Sequence, residues 1–264
     1  MTTNLLTGPP SGTASPDGRT RPPALVVVAH GSRDPRALDT VRALLDRIRA
    51  LRPELPVHLG HIELNAPLLP DTLDTLAGLG TASAVLVPLL LSRGYHVKRD
   101  IPEMAAASGI RTRVAAPLGP HPLLVRALHD RLTEAGWDGA DRAAGGVVLA
   151  AAGSRDPQSA ADTGRTARML ARRLGVPVLP AYASAAAPTV PEAVRALTAR
   201  GRHRIAVASY FTAPGRFATE CATAAPATAA APLGTHPAMA RLLLHRYDEA
   251  ATPRSPRLFS LSGV

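Results

Sequence analysis

Short apolar runs alternate along this chain with stretches whose apolar residues recur every three or four positions, and the alternation is written twice. In the first half the strand-like runs are 24–29, 57–63, 84–90 and 112–115, with helical patterns near 35–51, 68–79, 98–108 and 121–135. In the second half the runs are 146–151, 177–182, 204–211 and a weak one near 228–231. Near-continuous Val, Leu and Ala runs fit strands buried on both faces. Strand and helix in alternation then predict a parallel sheet covered by helices. The expected fold class is α/β: two tandem, similar domains, each a four-stranded parallel sheet flanked by helices, with a cleft between them. The polar, Gly-rich stretch at 136–146 reads as the linker. It divides the chain into a disordered tail over 1–22, an N-terminal domain over 23–138, a C-terminal domain over 145–251 and a tail over 252–264.

The two halves repeat one another in detail. AHGSRDP at 29–35 matches AAGSRDP at 151–157, the stretch at 65–80 matches 186–201, and APLGPHP at 116–122 matches APLGTHP at 231–237. The matches fall in the same order, as an internal duplication requires. Asp34 before Pro35 and Asp156 before Pro157 mark helix starts, where proline lacks only an unneeded donor. One letter separates the first pair of motifs: His30 in the first copy is Ala152 in the second.

Ligands of parallel sheets sit outside the carboxyl ends of the strands, where His30 falls. Gly31 allows close backbone approach, Ser32 offers a hydroxyl, and Arg33 offers a fork-shaped cation suited to carboxylate or phosphate. Alone, H-G-S-R-D could be a capped helix start with a bystander histidine. The second copy keeps Gly153, Ser154, Arg155 and Asp156 without the histidine, so the scaffold does not need the imidazole. In LLLSRGYHVKRDIP at 89–102 an apolar strand ends at Leu91, Gly94 supplies a loop, and His96 precedes a helix on the same sheet edge. Two imidazoles with no cysteine nearby suit a labile first-row divalent metal. The equivalent stretch at 210–220 has no histidine. Glu63 is either the carboxylate of this edge or a partly exposed strand-end acid. His61 shares its strand face by alternation and is either a ligand or a core histidine. His121 and His236 recur before prolines in both copies and read as local caps. His129, His203 and His245 read as solvated.

Composition narrows the function classes. Apolar residues make up 46 % of the 264 positions but aromatics only 3 %, so the cores must be built from Ala, Val and Leu. A formal net charge of +10 first points to nucleic acid. Lys98 is the only lysine, however, and no basic cluster interleaved with aromatics is present. The positive charge fits a small polyanionic substrate as well. Cys221 is the only cysteine, which excludes an intrachain disulfide and points to a reducing compartment. The N-terminal stretch lacks the apolar region of a signal peptide, and no apolar run is long enough to span a membrane. The expectation is a cytoplasmic protein with no nucleic-acid or membrane partner.

H-G-S-R-D after strand one, E-L-x-x-P after strand two and P-L-L-L-x-x-G-Y-H-V-x-x-D-I-P after strand three resemble the sirohydrochlorin chelatases of the CbiX/SirB type. The resemblance runs from about residue 24 to 250 and is to the long, internally duplicated form. It implies insertion of a divalent metal, Fe2+ or Co2+, into sirohydrochlorin without ATP, for sirohaem or cobalamin synthesis. The metal is then a substrate and no cofactor is permanently bound. By the same resemblance His30 and His96 handle the metal and the loop Leu91, Ser92, Arg93, Gly94, Tyr95 contacts the tetrapyrrole. Ser32 and Arg33 join that set, and Arg93, Lys98 and Arg99 face its carboxylates. Glu63 assists while His30 takes metal and proton, since a neutral imidazole can do either. The degenerate second half forms a wall of the cleft. The chain is a monomer or homodimer. A non-catalytic carrier of tetrapyrrole or metal on the same fold is the alternative.

Overall fold

The computed structural model describes residues 22–252. The tails expected over 1–22 and 252–264 lie outside the described residues, apart from Pro22 and Thr252. In the first half the elements are β1 (Ala24–Ala29), α1 (Pro35–Leu51), β2 (Val57–His61), α2 (Leu69–Gly78), β3 (Ser83–Pro88), α3 (Ile101–Ala106), β4 (Arg111–Val114) and α4 (Pro122–Glu134). The second half repeats them as β5 (Gly145–Ala151), α5 (Pro157–Leu174), β6 (Val178–Tyr182), α6 (Val190–Thr198), β7 (Arg204–Tyr210), α7 (Arg216–Thr223), β8 (Thr228–Ala229) and α8 (Pro237–Ala251).

Each half forms a four-stranded, all-parallel sheet, in the order β2–β1–β3–β4 and β6–β5–β7–β8. The central strands β1 and β5 are buried along their whole length, as strands covered on both faces must be. Asp34 and Asp156 cap α1 and α5, accepting from Arg36 N at 3.0 Å and Gln158 N at 2.9 Å. The helix expected near 98–108 begins instead as a wide π-type turn over His96–Asp100, where Ile101 N–H reaches back to the His96 carbonyl. Pro102 has no N–H to return to Lys98, so α-type pairing cannot close across this turn. His96 therefore sits on the first residue of a turn rather than in a loop.

The outer faces of the sheets are covered by α2 and α3 on one side and by α6 and α7 on the other, forming two separate apolar clusters. The inner faces share one continuous core that runs through both halves. It is built by an exchange. α8, the last helix of the second half, packs on β3 and β4 of the first sheet beside α1, while α4 packs on β7 of the second sheet beside α5. Reciprocal hydrogen bonds fix the exchange: Arg131 Nη2 donates to Leu233 O and Arg246 Nη2 to Leu118 O, both at 3.2 Å. No described helix is long and apolar enough to cross a membrane.

The exchanged helices start on His121 and His236, whose Nδ1 atoms accept from Leu123 N at 3.1 Å and Ala238 N at 3.2 Å, as local capping requires. An accepting Nδ1 carries no proton. Burial pushes both rings, and those of His58 and His61, below the ordinary histidine range. With the folded-state value depressed, this stability is fully present above the unfolded value of about 6.5 and is lost as pH falls through the folded value. The thermal midpoint should therefore drop as pH falls below about 6.5. Replacing both caps, His121→Asn with His236→Asn, should flatten that slope, and an unchanged slope would refute the assignment.

Candidate active site

The carboxyl ends of both sheets open on one cleft of about 1270 Å3, lined by residues of both halves. Its floor is set by two equivalent turns. Glu63 N–H donates to His30 O and Ser184 N–H to Ala152 O, each at 3.0 Å, so the chain after β2 and β6 folds over the chain after β1 and β5. At the crossing, Gly31 (φ +103) and Gly153 (φ +91) lie under the carbonyls of Glu63 and Ser184. A Cβ there would come within 1.9 and 1.8 Å of those oxygens. Leu64 (φ 67) and Ala185 (φ 58) adopt the left-handed conformation beside them, a strained choice for non-glycine residues that recurs in both turns. Asn65 Oδ1 accepts from Ser32 N at 2.7 Å and ties the first turn to the start of α1.

On this floor His30 and His96 meet. Their Nε2 atoms are 3.1 Å apart and their rings edge-on, with centroids 4.7 Å apart. The outer nitrogens both face oxygen. His96 Nδ1 donates to Asp100 Oδ2 at 2.5 Å, and His30 Nδ1 lies 3.3 Å from Gly31 O and 3.7 Å from Glu63 Oε1. Carboxylates and carbonyls only accept, so with each ring's proton assigned to Nδ1 the Nε2 lone pairs turn inward. Two lone pairs at that distance repel unless a positive charge, proton or metal ion, lies between them. This is also how metal-binding imidazoles are held, with the far N–H fixed by an oxygen. Among the described residues no group of three or more His, Cys, Asp or Glu could hold a metal ion.

The remaining expected residues divide. Ser32, Arg33, Leu91, Ser92, Gly94 and Tyr95 line the cleft, with Tyr95 well exposed to it. Arg93 does not present its guanidinium there: it is bound by Asp162 of α5, through Nε at 2.9 Å and Nη2 at 2.6 Å. Asp162 is fully buried. Burial opposes its ionisation, but the Arg93 hydrogen bonds outweigh it and hold the carboxyl below its ordinary range. Lys98 pairs with Asp156, and Arg99 with Glu103 at 3.2 Å. Glu63 is half exposed at the turn, whereas His61 is buried and its Nδ1 faces Pro67 O at 3.2 Å. β2 stops at His61, so alternation does not carry on to Glu63.

Two residues of this geometry were not singled out from sequence. Asp100, four residues after His96, orients its ring; the spacing was the available signal, since i and i+4 share a helix face. Phe217 is the other. It occupies the place of His96 in the second half, as Ala152 occupies that of His30, and with Phe211 and Tyr95 it lines the cleft. A chain with 3 % aromatics thus gathers several of them on this one opening.

A CbiX family model matches residues 24–135 and 146–250. The sirohydrochlorin ferrochelatase of Bacillus subtilis is 30 % identical over 178 residues, covering 64 % of this chain and 66 % of that protein. The sirohydrochlorin cobaltochelatase of Methanococcus aeolicus is 35 % identical over 81 residues, 31 % of this chain and 57 % of that protein. The chain therefore spans a little over half to about two thirds of the length of these relatives. In three dimensions it resembles SirB from Bacillus subtilis with Fe3+, at a TM-score of 0.73 and 24 % identity, over 88 % of this chain and 96 % of that one.

Proposed function

Because the chain belongs to the CbiX family, we propose that it inserts a divalent metal ion, Fe2+ or Co2+, into sirohydrochlorin without ATP. The observation that carries this reading is the facing Nε2 pair of His30 and His96, 3.1 Å apart, with both far nitrogens on oxygen. With metal–nitrogen bonds of about 2.1 Å, nitrogens at that spacing subtend about 95° at one ion. That is the angle between neighbouring positions of an octahedral shell, and it leaves the other positions to the macrocycle. An ion held by so few protein ligands can be handed on. When the pyrrole nitrogens take it, two N–H protons must leave, and each of the two imidazoles that release the metal is free to accept one. Ferrochelatase and cobaltochelatase relatives both occur, and the imidazole pair suits either ion.

The rest of the cleft fits a flat, polyanionic guest. Tyr95, Phe211 and Phe217 offer aromatic surface, and Arg33, Arg155 and Arg216 lie on or beside the opening. Anaerobic mixing with sirohydrochlorin and Fe2+ or Co2+ should change the macrocycle's absorbance over many turnovers per protein. A single stoichiometric change would identify a carrier, and no change would sink the proposal. Asp100→Asn should weaken Co2+ binding about 10-fold, because a carboxylate behind a ligating imidazole typically contributes that much. An unaltered Co2+ titration would show that His96 is oriented by other groups.

A further inference from the structure

The stretch Leu91–Arg93 that leads into His96 is held by the opposite half. Leu90 still bonds to the first half, its carbonyl accepting from Leu118 N at 2.8 Å. Each of the next three residues bonds to the second half. Leu91 O accepts from Tyr210 OH at 3.1 Å, Ser92 Oγ lies 2.8 Å from Ser159 Oγ, and Arg93 N donates to Asp162 Oδ2 at 3.1 Å, in addition to its side-chain pair. Lys98, just past His96, pairs with Asp156. The inward face of α5 is built for this. Its first three turns bury Ser159, Asp162, Thr163 and Thr166, and only then does the stripe become apolar at Ala167, Leu170 and Leu174. Thr166 Oγ1 lies 3.2 Å from Tyr210 OH, completing the network.

The arrangement is one-sided. Register places Thr40, Ala37 and Leu89 of the first half where the second has Asp162, Ser159 and Tyr210. One residue on, the equivalent loop after β7 bonds within its own half, through Gly234 N to Thr212 O at 3.1 Å. The half that lacks the paired imidazoles supplies these anchors, and at the matching positions the half that has the pair carries Thr40, Ala37 and Leu89.

We infer that the second half positions the metal-handling pair, with Asp162 as the positioning residue that fixes His96 through Arg93. A buried carboxylate that takes a backbone N–H together with the Nε and Nη2 groups of a guanidinium sets the loop's place and direction together. Nothing covalent or protonic is asked of Asp162. The inference rests on the chelatase reading for its catalytic consequence, but not for its structural one.

The test compares Asp162→Asn and Arg93→Ala with Asp248→Asn in the full chain. Asp248 joins the halves through Arg52, at 2.6 and 2.9 Å, far along the sequence from the site residues. Asp162→Asn should lower kcat about 10- to 100-fold, the effect of displacing a catalytic group by about 1 Å, with little change in KM. Arg93→Ala should do the same, and the double variant should be no worse than either single one. Asp248→Asn should lower the thermal midpoint and leave kcat alone. Independently of turnover, the His96 ring signals in nitrogen-15 NMR should shift or broaden in Asp162→Asn and not in Asp248→Asn. Unmoved His96 signals would overturn the inference even if the wild type inserts metal. Shifted signals in a wild type that inserts none would overturn the chelatase reading and leave the positioning role standing.

Discussion

Metal insertion by a His30→Ala variant is expected to fall at least about 100-fold, the usual span for removing a proton-transfer group, while the protein stays folded. The second expectation has unusual support, because the chain already contains the variant: Ala152 follows β5 on the equivalent turn and accepts the equivalent hydrogen bond, from Ser184 N. What the substitution removes is one of two inward lone pairs. His96 alone, still backed by Asp100, would bind a divalent ion as a single ligand and could not hold it at a fixed angle. Anaerobic absorbance should thus show the macrocycle unmetallated, and Co2+ titration should show weakened binding, with an unchanged circular dichroism spectrum. Turnover near that of the wild type would remove His30 from the mechanism.

A large loss of stability is expected from Gly31→Ala. A methyl group at 1.9 Å from Glu63 O cannot be relieved by a rotamer, because the obstacle is backbone. The left-handed φ of +103 adds its own penalty for any residue with a Cβ. Relief would have to push the Glu63 turn away from His30, breaking the hydrogen bond between them. A cost of about 3 kcal/mol or more is expected, which lowers the melting midpoint of a chain this size by roughly 6–12 °C. Gly78→Ala is the control. That residue ends α2 with open space where the Cβ would go, so calorimetry should find it neutral or slightly stabilising. Equal midpoints for the two variants would contradict the crossing as described.

Much of this was legible in the sequence for a definite physical reason. Buried strands must be apolar throughout, and helices that cover them must be apolar at a period of 3.6, so both wrote themselves into the chain. The His30 to Ala152 difference isolated the imidazole because everything around it stayed the same. What sequence could not show were contacts made between distant segments. Arg93 looked like a cation waiting for a substrate carboxylate, and nothing in the sequence singled out Asp162; each is explained by the other. The amphipathic faces of α4 and α8 announced that they would be buried, but periodicity does not say against which sheet. The π-type turn at His96 was hidden for a simpler reason, since its signature is a backbone bond rather than a side-chain pattern.

The exchange of α4 and α8 has a consequence for how the chain comes to be folded. The inner face of the first sheet is finished by a helix that ends at Ala251, more than a hundred residues after β4. A ribosome delivering the first half delivers an unfinished object, with β3 and β4 awaiting a cover not yet made. Contacts that span so much sequence are slow to form, and the apolar surface left open meanwhile is prone to stick elsewhere. The halves look like beads on a string in the sequence, yet the inner face of the first sheet is fully covered only when α8 is in place.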